Sequence, residues 1–112
     1  MQNKNTNGMP QAKPVKLTEI IEYAEGSIVS RTLSKNDAGT LILFAFDVNE
    51  ELSEHTAPFD AYVQLLDGKV WIKIGEQEIT AIAGETVLMP ANVPHALKAV
   101  EQFKMLLTMI RG

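Results

Sequence analysis

From residue 27 onward, short apolar runs alternate with turn residues about every six to twelve positions, which is the pattern of strands rather than helices. Residues 27–34 (SIVSRTLS) are rich in β-branched side chains and set Ile28, Ser30 and Thr32 against Val29, Arg31 and Leu33, as in a strand with one wetter face. After a turn at KNDAG, residues 40–48 (TLILFAFDV) are almost continuously apolar and too short for an ordinary helix. They predict a strand buried on both faces, and therefore two layers. Upstream, KLTEIIEY predicts one or two helical turns capped by Thr18 and stopped by Gly26. Residues 49–53 read as a loop leading to His55.

Asp67 and Gly68, between two apolar runs, are the residues of a two-residue hairpin turn, because both tolerate positive φ. Counting outward, Leu65 then faces Val70, Val63 faces Ile72 and Ala61 faces Ile74. One face becomes wholly apolar, while the other carries Tyr62, Gln64, Trp71 and Lys73. Further short strands follow at 78–82, at 87–89 before Pro90, and in HALKAV and FKMLLTMI around a turn at Glu101 and Gln102. Eight or nine such strands with almost no helix predict an all-β sandwich or small barrel.

Composition narrows this picture. A chain of 112 residues, 46% hydrophobic, is the size of one domain and needs no covalent staple, and it has no cysteine to make one. Residues 1–13 are polar and punctuated by Gly8 and Pro10, so they are expected to form a flexible arm, with the single domain at 14–112. A net charge of −4 with scattered lysines and arginines lacks the basic stripe that nucleic acid requires. No apolar run is long enough for a membrane span or a secretory signal, so the expected partners include neither nucleic acid nor membrane and the expected compartment is the cytoplasm.

The chain's two histidines, His55 and His95, carry the remaining chemistry, and the residues around them form two motifs. The first runs Asn49, His55, Ala57, Ala61, Gly68, and the second Gly84, Pro90, Asn92, His95, Ala99, with fifteen residues between Gly68 and Gly84. This spacing resembles the two motifs of the cupin superfamily, in particular its small single-domain type-2 members. The resemblance implies an all-β fold, the double-stranded β-helix or jelly-roll barrel, preceded here by a short N-terminal helical turn. The glycines also have a local reason, since Gly68 and Gly84 fall in turns that need unusual φ, and asparagine at 49 and 92 is the next most tolerant residue.

In that family the two motifs offer three histidines and a glutamate to one divalent metal. Here His55 and His95 remain, while Ala57 and Ala61 stand at the positions of the second histidine and the acid. The expected pocket comprises His55, Ala57, Ala61, Val63, Met89 and His95. Phe44 and Phe46 join Met89 at its mouth, and Met105 and Met109 are core fillers. Asp60, Gln64, Glu54 and Thr56 are candidate third donors, although Asp60 and Gln64 fall on the outward parity.

Two functional readings stay open beside a third, blander one, a purely structural dimer. In one the barrel binds a small molecule through neutral imidazoles without depending on metal. In the other, implied by the resemblance, a divalent Zn, Fe, Mn or Ni on His55 and His95 supports an enzyme resembling the family's dioxygenases, decarboxylases or isomerases, acting on a small organic acid, sugar or aromatic. Whether the chain is an enzyme is left undecided by its residues. A homodimer using the Tyr62 and Trp71 face is the expected assembly.

Overall fold

The structure, a computed structural model, describes residues 8–111. Among the described residues, nine antiparallel strands follow one short 3-10 turn: β1 (Ile28–Asn36), β2 (Gly39–Phe46), β3 (Glu51–His55), β4 (Asp60–Asp67), β5 (Lys69–Ile74), β6 (Gln77–Ile82), β7 (Thr86–Met89), β8 (His95–Ala99) and β9 (Phe103–Ile110). They form a five-stranded sheet in the order β1-β2-β9-β4-β7 and a four-stranded sheet in the order β3-β8-β5-β6. Apart from the β5–β6 hairpin, strands β2 to β9 alternate between the sheets in the double Greek-key order of a jelly roll, and β1 extends one edge.

The apolar face read from the sequence is the core. Ala61, Val63 and Leu65 on β4 are sealed from solvent, as are Val70 and Ile72 on β5 and Leu97 and Ala99 on β8. The expected hairpin between β4 and β5 does not form, however. β4 pairs with β7 and β9, whereas β5 pairs with β6 and β8. At Gly68 the chain turns the corner from one sheet to the other. The set of buried residues survives the error because period-two parity fixes which side chains turn inward, whichever strand lies alongside. Gly68 has φ +79° and lies so near the Gln102 carbonyl that a Cβ would collide with that backbone.

The corner also separates two residues that a hairpin would have united. Tyr62 lies on the outer face of the five-stranded sheet and Trp71 on that of the four-stranded sheet, where its indole N–H donates to Glu78 Oε1 at 3.1 Å. They form no common aromatic platform.

β2 is covered on both sides, as its apolar run predicts. Phe46 and Phe44 belong to the main core, whereas Leu43 and Ala45 face a second cluster built with Ile21, Leu17, Ile20 and Tyr23. The N-terminal segment is thus a cover over the outer face of the larger sheet. Its helical element is only Leu17–Glu19, and Lys16 occupies the N-cap without a side-chain bond, so Thr18 lies within the turn rather than capping it. Lys104 Nζ instead donates to the Thr18 carbonyl at 2.6 Å and sits 4.9 Å from the Tyr23 ring centroid, tying the segment to β9.

Of the predicted arm, residues 1–7 lie outside the described residues, while Gly8 N–H donates to the Thr32 carbonyl at 2.6 Å. Residues 51–53, expected as loop, belong to β3: the pairing of Glu51 with Lys98 and Leu52 with Leu97 supplies order that the local polarity conceals. Among the described residues, no helix is long and apolar enough to cross a membrane.

Candidate functional site

His55 ends β3 and His95 begins β8, and the two are direct cross-strand partners. The pairing depends on an irregularity. Leu52 pairs with Leu97, two positions from His95 on β8, but three positions separate Leu52 from His55 on β3. In a regular strand those two residues would point to opposite faces. A register shift between them lets the pairing resume at His55, as bulges do where a side chain must be re-aimed.

The ring centroids are 4.3 Å apart with the planes at 68°, an edge-to-face contact. His95 is only 4% exposed, whereas His55 is open to solvent at the end of an edge strand. Each ring is held by a carbonyl two residues back: His55 Nδ1 lies 2.8 Å from the Ser53 oxygen and His95 Nδ1 lies 3.2 Å from the Val93 oxygen. A carbonyl can only accept, so both neutral rings carry their proton on Nδ1 and keep the Nε2 lone pair for something else. Burial holds the His95 imidazole below its ordinary pKa. The Val93 bond opposes that shift and the nearby His55 adds to it. His95 is therefore neutral at pH 7.

The surrounding loops are tied together. Asn92, in the left-handed region at φ +65°, donates its N–H to the Ala57 carbonyl at 2.8 Å, and Ala91 N–H donates to Asp60 Oδ1 at 2.9 Å. The loop after β3 and the loop before β8 are thus joined at the end of the barrel that holds the histidines.

Of the expected pocket residues, Ala61, Val63 and Met89 lie in the closed core, with Val63 at 0% exposure, while Ala57 is half-buried past the end of β3. Solvent reaches this group chiefly through His55 and Ala57. Phe44 and Phe46 lie toward the opposite end, where Phe46 stacks on Phe103 with centroids 4.4 Å apart. They do not form the mouth, because β2 runs away from it after Gly39. Met109 has the better position: Ala61 pairs across the sheet with Met89 on one side and Met109 on the other. Nothing local in the sequence marks Met109, since its neighbour on β4 is remote along the chain.

The candidate third donors are engaged or exposed elsewhere. Asp60 accepts from Ala91, Glu54 lies 4.0 Å from Lys73 Nζ, and Gln64 and Thr56 face solvent. Among the described residues no group of three or more His, Cys, Asp or Glu is placed to hold a metal ion. The donor set present does not fit a site of three imidazoles and one carboxylate.

A jelly roll with a histidine pair at one end of the barrel defines the class of protein, a cupin-type barrel. The solved structures agree. A conserved protein of unknown function from Streptococcus pyogenes is similar over 96% of this chain and 94% of its own, at 34% identity and a TM-score of 0.90. A cupin superfamily protein from Desulfitobacterium hafniense matches over the full length of both chains at 28% identity and a TM-score of 0.88. A cupin 2 conserved barrel domain protein from Leptotrichia buccalis is 37% identical over 84% of this chain and 46% of its own, with a TM-score of 0.81. The chain belongs to the cupin superfamily as a small type-2 cupin. No family model matches it, and no curated protein does.

Proposed function

We propose that the barrel binds a small organic molecule beside His55 and His95 without depending on a divalent metal. The observation that carries this reading is the edge-to-face histidine pair, in which each Nδ1 lies against a backbone carbonyl, an arrangement that leaves Nε2 of a neutral ring as an acceptor. Two adjacent imidazoles, one buried and one open to solvent, suit a compact ligand with O–H or N–H donors on an apolar body. The dioxygenase, decarboxylase or isomerase reading would need a Zn, Fe, Mn or Ni ion held by more than two imidazoles, and Ala57 and Ala61 contribute no donor.

The test is a thermal-shift screen of purified protein against hydroxylated organic acids, sugars and phenols. At least one class should raise the Tm of the parent, and the rise should vanish in His95→Ala. A shift that persists undiminished in both His55→Ala and His95→Ala would place binding elsewhere and overturn the reading.

The expected partner copy has support of its own. Tyr62 and Leu88 are cross-strand partners on the outer face of the larger sheet, and with Ile110 they leave large apolar side chains in water. We propose this face, rather than a joint Tyr62 and Trp71 surface, as the homodimer contact.

A further inference from the structure

We infer that the groove between the N-terminal cover and β1 is a binding site for a free α-amino acid with an apolar side chain. The inference is independent of the histidine pair. That pair lies at one end of the barrel, whereas this groove lies outside the larger sheet, along its β1 edge.

The groove exists because the chain doubles back on itself. Leu17, Ile20, Ile21 and Tyr23 pack over the outer face of the sheet, and the chain then turns at Gly26 and returns as β1. Between the two passes is a groove of about 590 Å³, within the roughly 300–1,000 Å³ of small-molecule sites. Ile20, Ile21 and Val29 make part of its lining apolar, and Glu19, Glu22 and Arg31 bring charge to it. Arg31 shares the strand parity of Val29 and Leu33, which pack into the second cluster. Its Nε–H donates to the Gly8 carbonyl at 3.3 Å and its Nη1 to the Ile20 carbonyl at 2.8 Å, so backbone holds the half-buried guanidinium in place. Those carbonyls carry no charge to balance it. Lys73 with Glu54 is the one ion pair among the described residues, so neither Glu19 nor Glu22 closes on Arg31 although both line the same groove. The guanidinium keeps further N–H donors beyond the two in use.

The mixture of charges selects the ligand. Two carboxylates repel a simple anion, and the guanidinium repels a simple cation. A zwitterion satisfies both signs: its carboxylate meets Arg31, whose planar fork suits that acceptor, and its ammonium meets Glu19 or Glu22. In an α-amino acid both charged groups are borne by one carbon, which leaves the side chain to lie along Ile20, Ile21 and Val29. There an aliphatic or aromatic side chain leaves water for apolar surroundings, a gain that glycine lacks.

The experiment is an NMR titration of the isotope-labelled full chain with L-leucine. Leucine should shift the amides of residues 20–24 and 29–31 and leave those of His55 and His95 in place. N-acetylleucine lacks the ammonium, leucinamide the carboxylate and glycine the side chain, and each should bind about tenfold more weakly than leucine or worse. Glu19→Gln combined with Glu22→Gln should weaken leucine by a similar factor without weakening N-acetylleucine. Arg31→Gln should abolish leucine binding. Because Arg31 also holds the cover, the series of analogues in the parent decides if that variant unfolds. Absence of shifts at these amides in millimolar leucine, or an affinity for leucine no greater than for any one of the three analogues, would overturn the inference. If leucine shifts only the surroundings of His55 and His95, the groove inference fails and the barrel-end reading stands. Leucine binding in the groove of a protein whose thermal shifts ignore both histidines upholds this inference and removes the other reading.

Discussion

Single residues do different work inside the barrel and outside it. Within the barrel the histidines are oriented by backbone carbonyls, and outside it Tyr23 anchors the N-terminal cover by donating to Asp67 Oδ2 at 2.6 Å. Burial, then the hydrogen bond to Asp67 and its charge, push the Tyr23 phenol well above its ordinary pKa of 10.0. The native state therefore keeps a proton that the unfolded chain releases. This stabilisation is fully present below pH 10 and declines as pH rises above it toward the folded-state pKa. The Tm of the parent should fall above pH 10 by more than that of Tyr23→Phe, as followed by circular dichroism across an alkaline series. Equal slopes for the two proteins would show that the phenol makes no such contribution. At neutral pH Tyr23→Phe should cost about 1 kcal/mol, the usual net worth of one hydrogen bond.

Among the elements, the corners between strands decide the architecture. Gly68 and Gly84 both have positive φ, at +79° and +93°, but only Gly68 sits against another backbone. Gly84→Ala should therefore show conformational strain alone, about 1 kcal/mol, whereas Gly68→Ala adds the collision with the Gln102 carbonyl and should cost about 3 kcal/mol. Urea unfolding of the two variants makes the comparison, and equal losses would mean that the close approach relaxes without penalty. Asn49 and Asn92, at φ +70° and +65°, occupy the other left-handed positions of the two motifs. All four were legible from residue type, because few side chains tolerate that conformation. The register shift in β3 was not legible. Residues 51–55 (ELSEH) carry no glycine or proline to announce it, and only the pairing with β8 reveals it.

For the whole molecule, the sandwich buries two inner faces and leaves an outer face of the larger sheet only partly covered by the N-terminal segment. Beyond that cover, Leu88 is 45% and Ile110 51% exposed, beside Tyr62. Apolar side chains grouped this way mark association surfaces, and two-fold pairing of one patch with itself is the commonest form. Sedimentation velocity should show a concentration-dependent dimer, and Tyr62→Lys should shift it to monomer without lowering the Tm by more than about 2 °C. A parent that stays monomeric at every concentration tested would remove this face from consideration.

Local sequence determined what depends on period and on residue type. Alternation along β4, β5 and β8 identified the buried side chains, and the motif spacing identified the barrel. Glycine and asparagine marked its tight positions, and the two histidines marked its candidate site. Tertiary structure decided what depends on partners remote in the chain. It turned the expected hairpin into a corner, sent Tyr62 and Trp71 to opposite outer faces, and moved Phe44 and Phe46 away from the histidines. It also set Met109 beside Ala61 and brought His55 against His95 through an irregular strand. The reason is the geometry of a sheet: the side a residue faces is written in its own strand's period, but the neighbour it meets there is chosen by the topology that closes the barrel.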